Sequence, residues 1–147
     1  MKNLKVLFFL TLTFCLVSCK QKIKEPKDIG KAVFDILQKD ITSMSKEEYS
    51  EYLLSKDEVK SFGVNSEEYV NNISDNYNKF IEKSKRENIA WSKVQYLDFE
   101  YKIKSGGPSE VIRGIVSYKY NDKTYKAKVF AIWIEEEYRF IEISGPY

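Results

Sequence analysis

The chain has 147 residues, 43% of them apolar and 31% charged, with eleven Tyr and nine Phe. That composition suits one folded domain with an ordinary core and excludes wholesale disorder. The formal net charge is +2, and once Lys2 and Lys5 are set aside 22 basic side chains face 22 acidic ones, so the concentrated cationic excess of a nucleic-acid binder is missing.

Met1 to Lys5 carries two lysines, Val6 to Val17 is a nearly unbroken apolar run, and small Ser18 precedes Cys19. This is the three-part layout of a cleavable signal. The run reaches about 12 residues, short of the roughly 20 that a membrane-spanning helix needs. Both cysteines, Cys15 and Cys19, fall in this segment, so the rest of the chain has no thiol and forms no internal disulfide.

The residues Leu16, Val17, Ser18 and Cys19 resemble the lipobox of bacterial lipoproteins. The resemblance implies a signal peptide over residues 1–18, lipidation of the Cys19 thiol with a diacylglycerol, and frequent acylation of the new amino group by a chain such as palmitate. Each buried methylene contributes about 0.8 kcal/mol, so two or more chains hold firmly where one does not. Residues 19–27 then form a tether, basic through Lys20, Lys22, Lys24 and Lys27 and stiffened by Pro26. Some lipoproteins bound for the outer face carry an acidic run at this place. By that comparison the expected location is the cell envelope, on the periplasm-facing side of the outer membrane.

From Asp28 the apolar residues Ile29, Val33, Ile36 and Leu37 recur at helical spacing to about Asp40. Ser45, Ser55 and Asn65 each stand three residues before a Glu (Glu48, Glu58, Glu68), a pattern that starts helices. The first two are short, ending near Leu54 and Phe62, with Gly63 as a stop. The third is long, with a stripe of Tyr69, Val70, Ile73, Tyr77, Phe80 and Ile81, and with Lys83, Lys85 and Arg86 at its negative end.

At Val94 the period changes from 3.6 to 2. Leu97, Phe99, Tyr101 and Ile103 alternate with Asp98, Glu100, Lys102 and Lys104, which predicts a half-buried strand. Further strands are expected over about 111–120, 124–134 and 138–144, joined by turns at Asn121 to Lys123 and Glu135 to Glu137. Helices first and strands afterwards predict an α+β domain over residues 28–147. Its expected form is a four-stranded antiparallel β-meander packed on the long helix. This layout, closing on Phe140 to Gly145, is similar to the small NTF2-like or cystatin-like lipoproteins, whose curved sheet wraps a helix and leaves a conical pocket.

Without histidine and with Cys19 spoken for, Ser-His and Cys-His catalysis and His- or Cys-based zinc sites are excluded. No metal or cofactor is expected. Gly106, Gly107 and Pro108 lack the Lys and Ser/Thr of a phosphate loop and read as a turn, and Asn72 to Ser74 matches a glycosylation acceptor by chance. Asp98 and Glu100 share a strand face about 7 Å apart, within range for acid–base work, although a solvated face accounts for them better. Glu135 to Glu137 needs no cation to explain it.

Tyrosine is enriched along the strands. Tyr101, Tyr118, Tyr125 and Trp133 are the candidate binding residues, since amphipathic rings suit ligand pockets and interfaces as well as sheet cores. The leading expectation is a membrane-anchored, non-enzymatic module that binds an envelope protein or a small apolar ligand. The alternatives are a small NTF2-like enzyme using carboxylate and Tyr chemistry, which requires Asp98 or Glu100 to face inward, and an inhibitor or immunity protein.

Overall fold

The computed structural model describes residues 22–39, 41–105, 107 and 109–147. The signal segment, Cys19 and the start of the tether lie outside the described residues, as do Gly106 and Pro108. Four helices come first: α1 (Asp28–Gln38), α2 (Lys46–Ser50), α3 (Lys56–Ser61) and α4 (Ser66–Arg86). After a 3₁₀ turn at Trp91–Lys93, four strands follow, β1 (Gln95–Lys104), β2 (Val111–Tyr120), β3 (Lys123–Ile134) and β4 (Glu137–Ser144), in the order β1-β2-β3-β4. Every pairing is antiparallel, so the domain is α+β with a four-stranded meander. Among the described residues no helix is long and apolar enough to cross a membrane.

Local chemistry sets the helix starts. Ser45 and Ser55 each accept from the N–H of the Glu three residues on, and each Glu carboxylate accepts the serine N–H in return. Two otherwise orphaned donors are thereby satisfied at each end. Asn65 makes half of that arrangement, accepting from the N–H groups of Glu67 and Glu68. Gly63, at φ +75°, stops α3 where a side chain would be strained.

The register places Ile112, Gly114, Val116 and Tyr118 of β2 beside Ala131, Val129, Ala127 and Tyr125 of β3 on one face, all buried. Helix α1 covers that face over β1 and β2. Phe99 is the wedge between them. A Cβ at Gly30 of α1 would lie 2.3 Å from the Phe99 Cβ, and one at Gly114 would lie 2.3 Å from its ring.

Two expectations are corrected. The helix across the sheet is α1, whereas the long α4 packs on α2, α3 and the edge strand β4. Helix α1 buries a wide face of Ile29, Gly30, Val33, Phe34, Ile36 and Leu37, while α4 buries Tyr69, Ile73, Phe80 and Ser84 over 21 residues, too narrow a stripe to cover a sheet. In β1 only Phe99 of the alternating set is buried; Leu97, Tyr101 and Ile103 are 48%, 39% and 47% exposed. This is the edge strand, and the footprint of α1 ends at Phe99. An irregularity in pairing between Tyr96 and Asp98 also leaves Leu97 without an opposite residue.

The other edge is covered. The Tyr138 N–H donates to the Ile23 carbonyl at 2.7 Å, and the Leu54 N–H donates to the Phe140 carbonyl at 2.8 Å. Two short segments thus occupy the free side of β4 and leave fewer unpaired groups for another strand to join.

Candidate functional site

The four candidate aromatic residues do not converge. Tyr118 is fully buried, stacked on buried Tyr125 with ring centroids 5.8 Å apart, and Trp91 lies 5.5 Å from the Tyr118 ring. They form a plug beside the β2–β3 turn. Burial, with the neighbouring Tyr125 hydroxyl, pushes the Tyr118 hydroxyl up. Neither that hydroxyl nor the Trp91 indole N–H has a partner among the described residues. Tyr125 donates to the Glu87 carboxylate at 3.4 Å, which also pairs with Lys123 at 2.8 Å.

Tyr101 and Trp133 belong to the opposite end of the sheet, Tyr101 stacked on Phe99 at 5.2 Å and Trp133 edge-on to Tyr138 at 4.8 Å. The Tyr138 hydroxyl donates to Glu110. Burial, that hydrogen bond, and the charges of Glu110 and Glu25 push it up. Asp98 and Glu100 are both exposed, and an Asp98 oxygen accepts from the Phe99 N–H at 2.7 Å. Neither of these two carboxylates faces inward. Among the described residues, no group of three or more His, Cys, Asp or Glu is placed to hold a metal ion.

The concavity with the character of a binding site lies elsewhere. Phe130 and Glu142 are paired and point away from the face that α1 covers. Together with α3 and the first half of α4 they enclose a half-open groove of about 360 Å³. Its walls are apolar, built from Leu53, Tyr69, Ile73, Ile132, Ile141 and Ile143. Phe62 and Val64, 40% and 42% exposed, stand at its mouth. Asn65, Glu68, Asn72 and Asn76 form a polar rim on α4, and the Asn76 amide donates to Glu142 at 3.5 Å. Apolar walls with a few polar groups at the edge are the usual make-up of a small-ligand site, and the volume falls in the normal range.

Rigid contacts back the groove. The Tyr69 hydroxyl donates to the Leu54 carbonyl at 2.8 Å and the Tyr49 hydroxyl to the Ile143 carbonyl at 2.5 Å. A second, more polar cleft of about 730 Å³ shares Leu53, Tyr69 and Ile73 with it and is lined by Glu58 and Arg139. The Glu58–Arg139 ion pair, with one contact at 3.2 Å, ties α3 to β4 between the two.

Burial alone would raise the Glu58 carboxyl, but hydrogen bonds with Ser55 and the Arg139 guanidinium outweigh it and hold the group below its ordinary value of 4.5. A carboxyl lowered on folding contributes stability that is complete above its unfolded value and fades as pH falls through the folded one. Arg139→Gln is therefore expected to cost no more than about 1 kcal/mol at neutral pH, the scale of a part-exposed pair, and progressively less as pH falls below 4.5 through the folded value. Urea melts at neutral pH and across the acid range measure it, and a cost that does not fall with pH would sink the assignment.

Sequence reasoning missed the groove, although a signal was present. Val129 to Ile134 is an unbroken apolar run, and loss of the period-2 alternation marks a strand covered on both faces. Comparison with protein families, with characterised proteins and with solved structures finds no match to this chain. What fold and site define is a small α+β domain with an apolar groove on the sheet face opposite α1.

Proposed function

We propose that this chain is a lipid-anchored protein of the bacterial cell envelope, held by Cys19, whose folded domain binds a small apolar ligand without catalysing a reaction. The groove between α3, α4 and the β3–β4 face carries the binding reading, because it is the apolar, half-open space of ligand size with a hydrogen-bonding rim. The anchor reading rests on the lipobox residues Leu16 to Cys19 and on the short basic tether behind them. An outer-membrane, periplasm-facing position goes with it, as does kinship in layout with NTF2-like or cystatin-like domains. In that kinship the usual conical pocket would be filled here by Phe99 and the Trp91, Tyr118 and Tyr125 plug, and the ligand space moved to the opposite face.

Four measurements test the proposal. Mass spectrometry of the protein from a bacterial host should find Cys19 acylated at the chain end, and Cys19→Ser should move most of the protein out of the alkali-washed membrane fraction. Protease added to intact cells should leave the domain whole. The domain from Lys22 onward, free of lipid and detergent, should bind a fluorescent fatty-chain probe. The double change Phe62→Glu and Val64→Glu, at exposed positions, should weaken that binding by about tenfold or more, since each charge must be desolvated at the groove mouth. Unchanged probe affinity would remove the groove from the proposal.

A further inference from the structure

The lipid anchor and the fold together orient the domain. Ile23 is fixed to β4 by its carbonyl, 2.7 Å from the Tyr138 N–H, and is half-buried against the core. From Ile23 back to Cys19 the chain is four residues long, a reach of at most about 14 Å however it is extended. Tyr118 and Tyr125, by contrast, stand eight residues up β3 from Trp133, about 26 Å away along the strand. An anchor at Cys19 therefore brings one end of the sheet to the bilayer and keeps the other away.

The near end has a surface suited to that place. Tyr101 and Ile103, 39% and 47% exposed, lie on the same sheet face as half-buried Trp133, and Tyr138 packs edge-on to Trp133. Exposed Lys22, Lys24, Lys102 and Lys104 flank them on the tether and on β1. Amphipathic aromatic rings favour the headgroup level of a bilayer, and lysines beside them reach lipid phosphates. Exposed Glu25, Glu135 and Glu136 and half-buried Glu110 and Glu137 lie at this same end, so rings and local lysines carry the contact rather than net charge. The ring patch is small, and tethering supplies the local concentration that a free domain would lack.

We infer that the end of the sheet bearing Tyr101, Ile103 and Trp133 rests on the lipid headgroups of the membrane that holds Cys19. This orientation rests on the lipoprotein reading proposed above. Fluorescence separates the two ends, because the two tryptophans of the chain lie one at each. Full-length acylated protein is bound to phosphatidylcholine–phosphatidylglycerol vesicles whose lipids are brominated high in the acyl chain. In Trp91→Phe, Trp133 should lose about half or more of its emission, as an interfacial ring does; in Trp133→Phe, buried Trp91 should be unaffected.

Because Trp91 is a core residue and its replacement can disturb folding, amide exchange on the unaltered protein gives a second reading. The amides of Tyr101 to Lys104 should slow on vesicles, while those of the Asn121–Asp122 turn should not. Protein that floats with the vesicles but shows neither the quenching nor the slowing overturns the orientation and leaves the anchor standing. Unaltered protein that does not float, with Cys19 unmodified, overturns both.

Discussion

Gly30→Ala is expected to destabilise the domain by about 1–3 kcal/mol, the usual cost of forcing a methyl group into a filled core. The new Cβ would sit 2.3 Å from the Cβ of Phe99 and 2.4 Å from its Cγ. The Phe99 Cβ is fixed to the backbone, so no rotamer change takes it away, and α1 itself must move off the sheet. Gly114→Ala is expected to be as costly. Its Cβ would meet the Phe99 ring at 2.3 Å and the Glu100 carbonyl at 3.0 Å, so rotating the ring relieves one contact and leaves the other. Phe99→Ala, which removes the ring over Gly114 and keeps the Cβ that faces Gly30, should cost about 3–5 kcal/mol.

The decisive measurement is the double variant. If the Gly114 methyl is resisted by the Phe99 ring, Gly114→Ala with Phe99→Ala should be less destabilised than the sum of the single changes, by about 1 kcal/mol or more, in a urea-melt cycle. Simple additivity would mean that the Phe99 ring is not what fills the space over Gly114. The cycle also bears on the membrane end, since Tyr101 is stacked on Phe99 and would lose its support.

Local chemistry is the part of this fold that could be read from residues alone. Ser45, Ser55 and Asn65 announced three helix starts because a cap is a contract between residues three apart, and the turns after Tyr120 and Ile134 fell where the apolar pattern gave way to Asn121 and Asp122 and to Glu135 to Glu137. Relations across the chain were less visible. Tyr101, Tyr118 and Tyr125 all sit at inward positions of their strands, and nothing local separates a ring under α1 from one beyond its edge. That difference arises from where Gly30 lets the helix descend on Phe99.

The groove was hidden for a similar reason. Its walls come from α3, α4, β3 and β4, and Ile141 enters it through a pairing irregularity after Phe130, where Ile141 falls unpaired between Glu142 and Phe140, the partners of Phe130 and Ala131. Such a shift changes which face a side chain occupies. The apolar run of β3 indicated cover on both faces, but the residues from the helical part of the chain that line the groove with it, Leu53 to Asn76, lie more than fifty residues earlier.

Two buried tyrosines of similar exposure are expected to respond oppositely to loss of a hydroxyl. Tyr49 is fully buried and its hydroxyl donates to the Ile143 carbonyl at 2.5 Å. Burial, with the nearby Glu142 and Tyr69, pushes that hydroxyl up, so it remains a neutral donor throughout the ordinary pH range. Tyr49→Phe removes the donor and leaves a carbonyl without it in an apolar setting, an expected loss of about 1–3 kcal/mol. Tyr118 is equally buried, but its hydroxyl has no partner among the described residues. Tyr118→Phe should therefore be neutral or stabilising by up to about 1 kcal/mol, because the folded state no longer holds a desolvated, unpaired group.

Thermal and urea unfolding of the two variants side by side measure the contrast. A loss in Tyr118→Phe as large as in Tyr49→Phe would mean that the Tyr118 hydroxyl is hydrogen-bonded after all, through a water shared with the Trp91 indole N–H. The pair also tests the groove. Ile143 is one of its walls and Tyr49 is the strut behind that wall, so Tyr49→Phe should weaken the fatty-chain probe as well as the fold. Tyr118→Phe, in the plug at the far end of the opposite face, should leave the probe's affinity where it was.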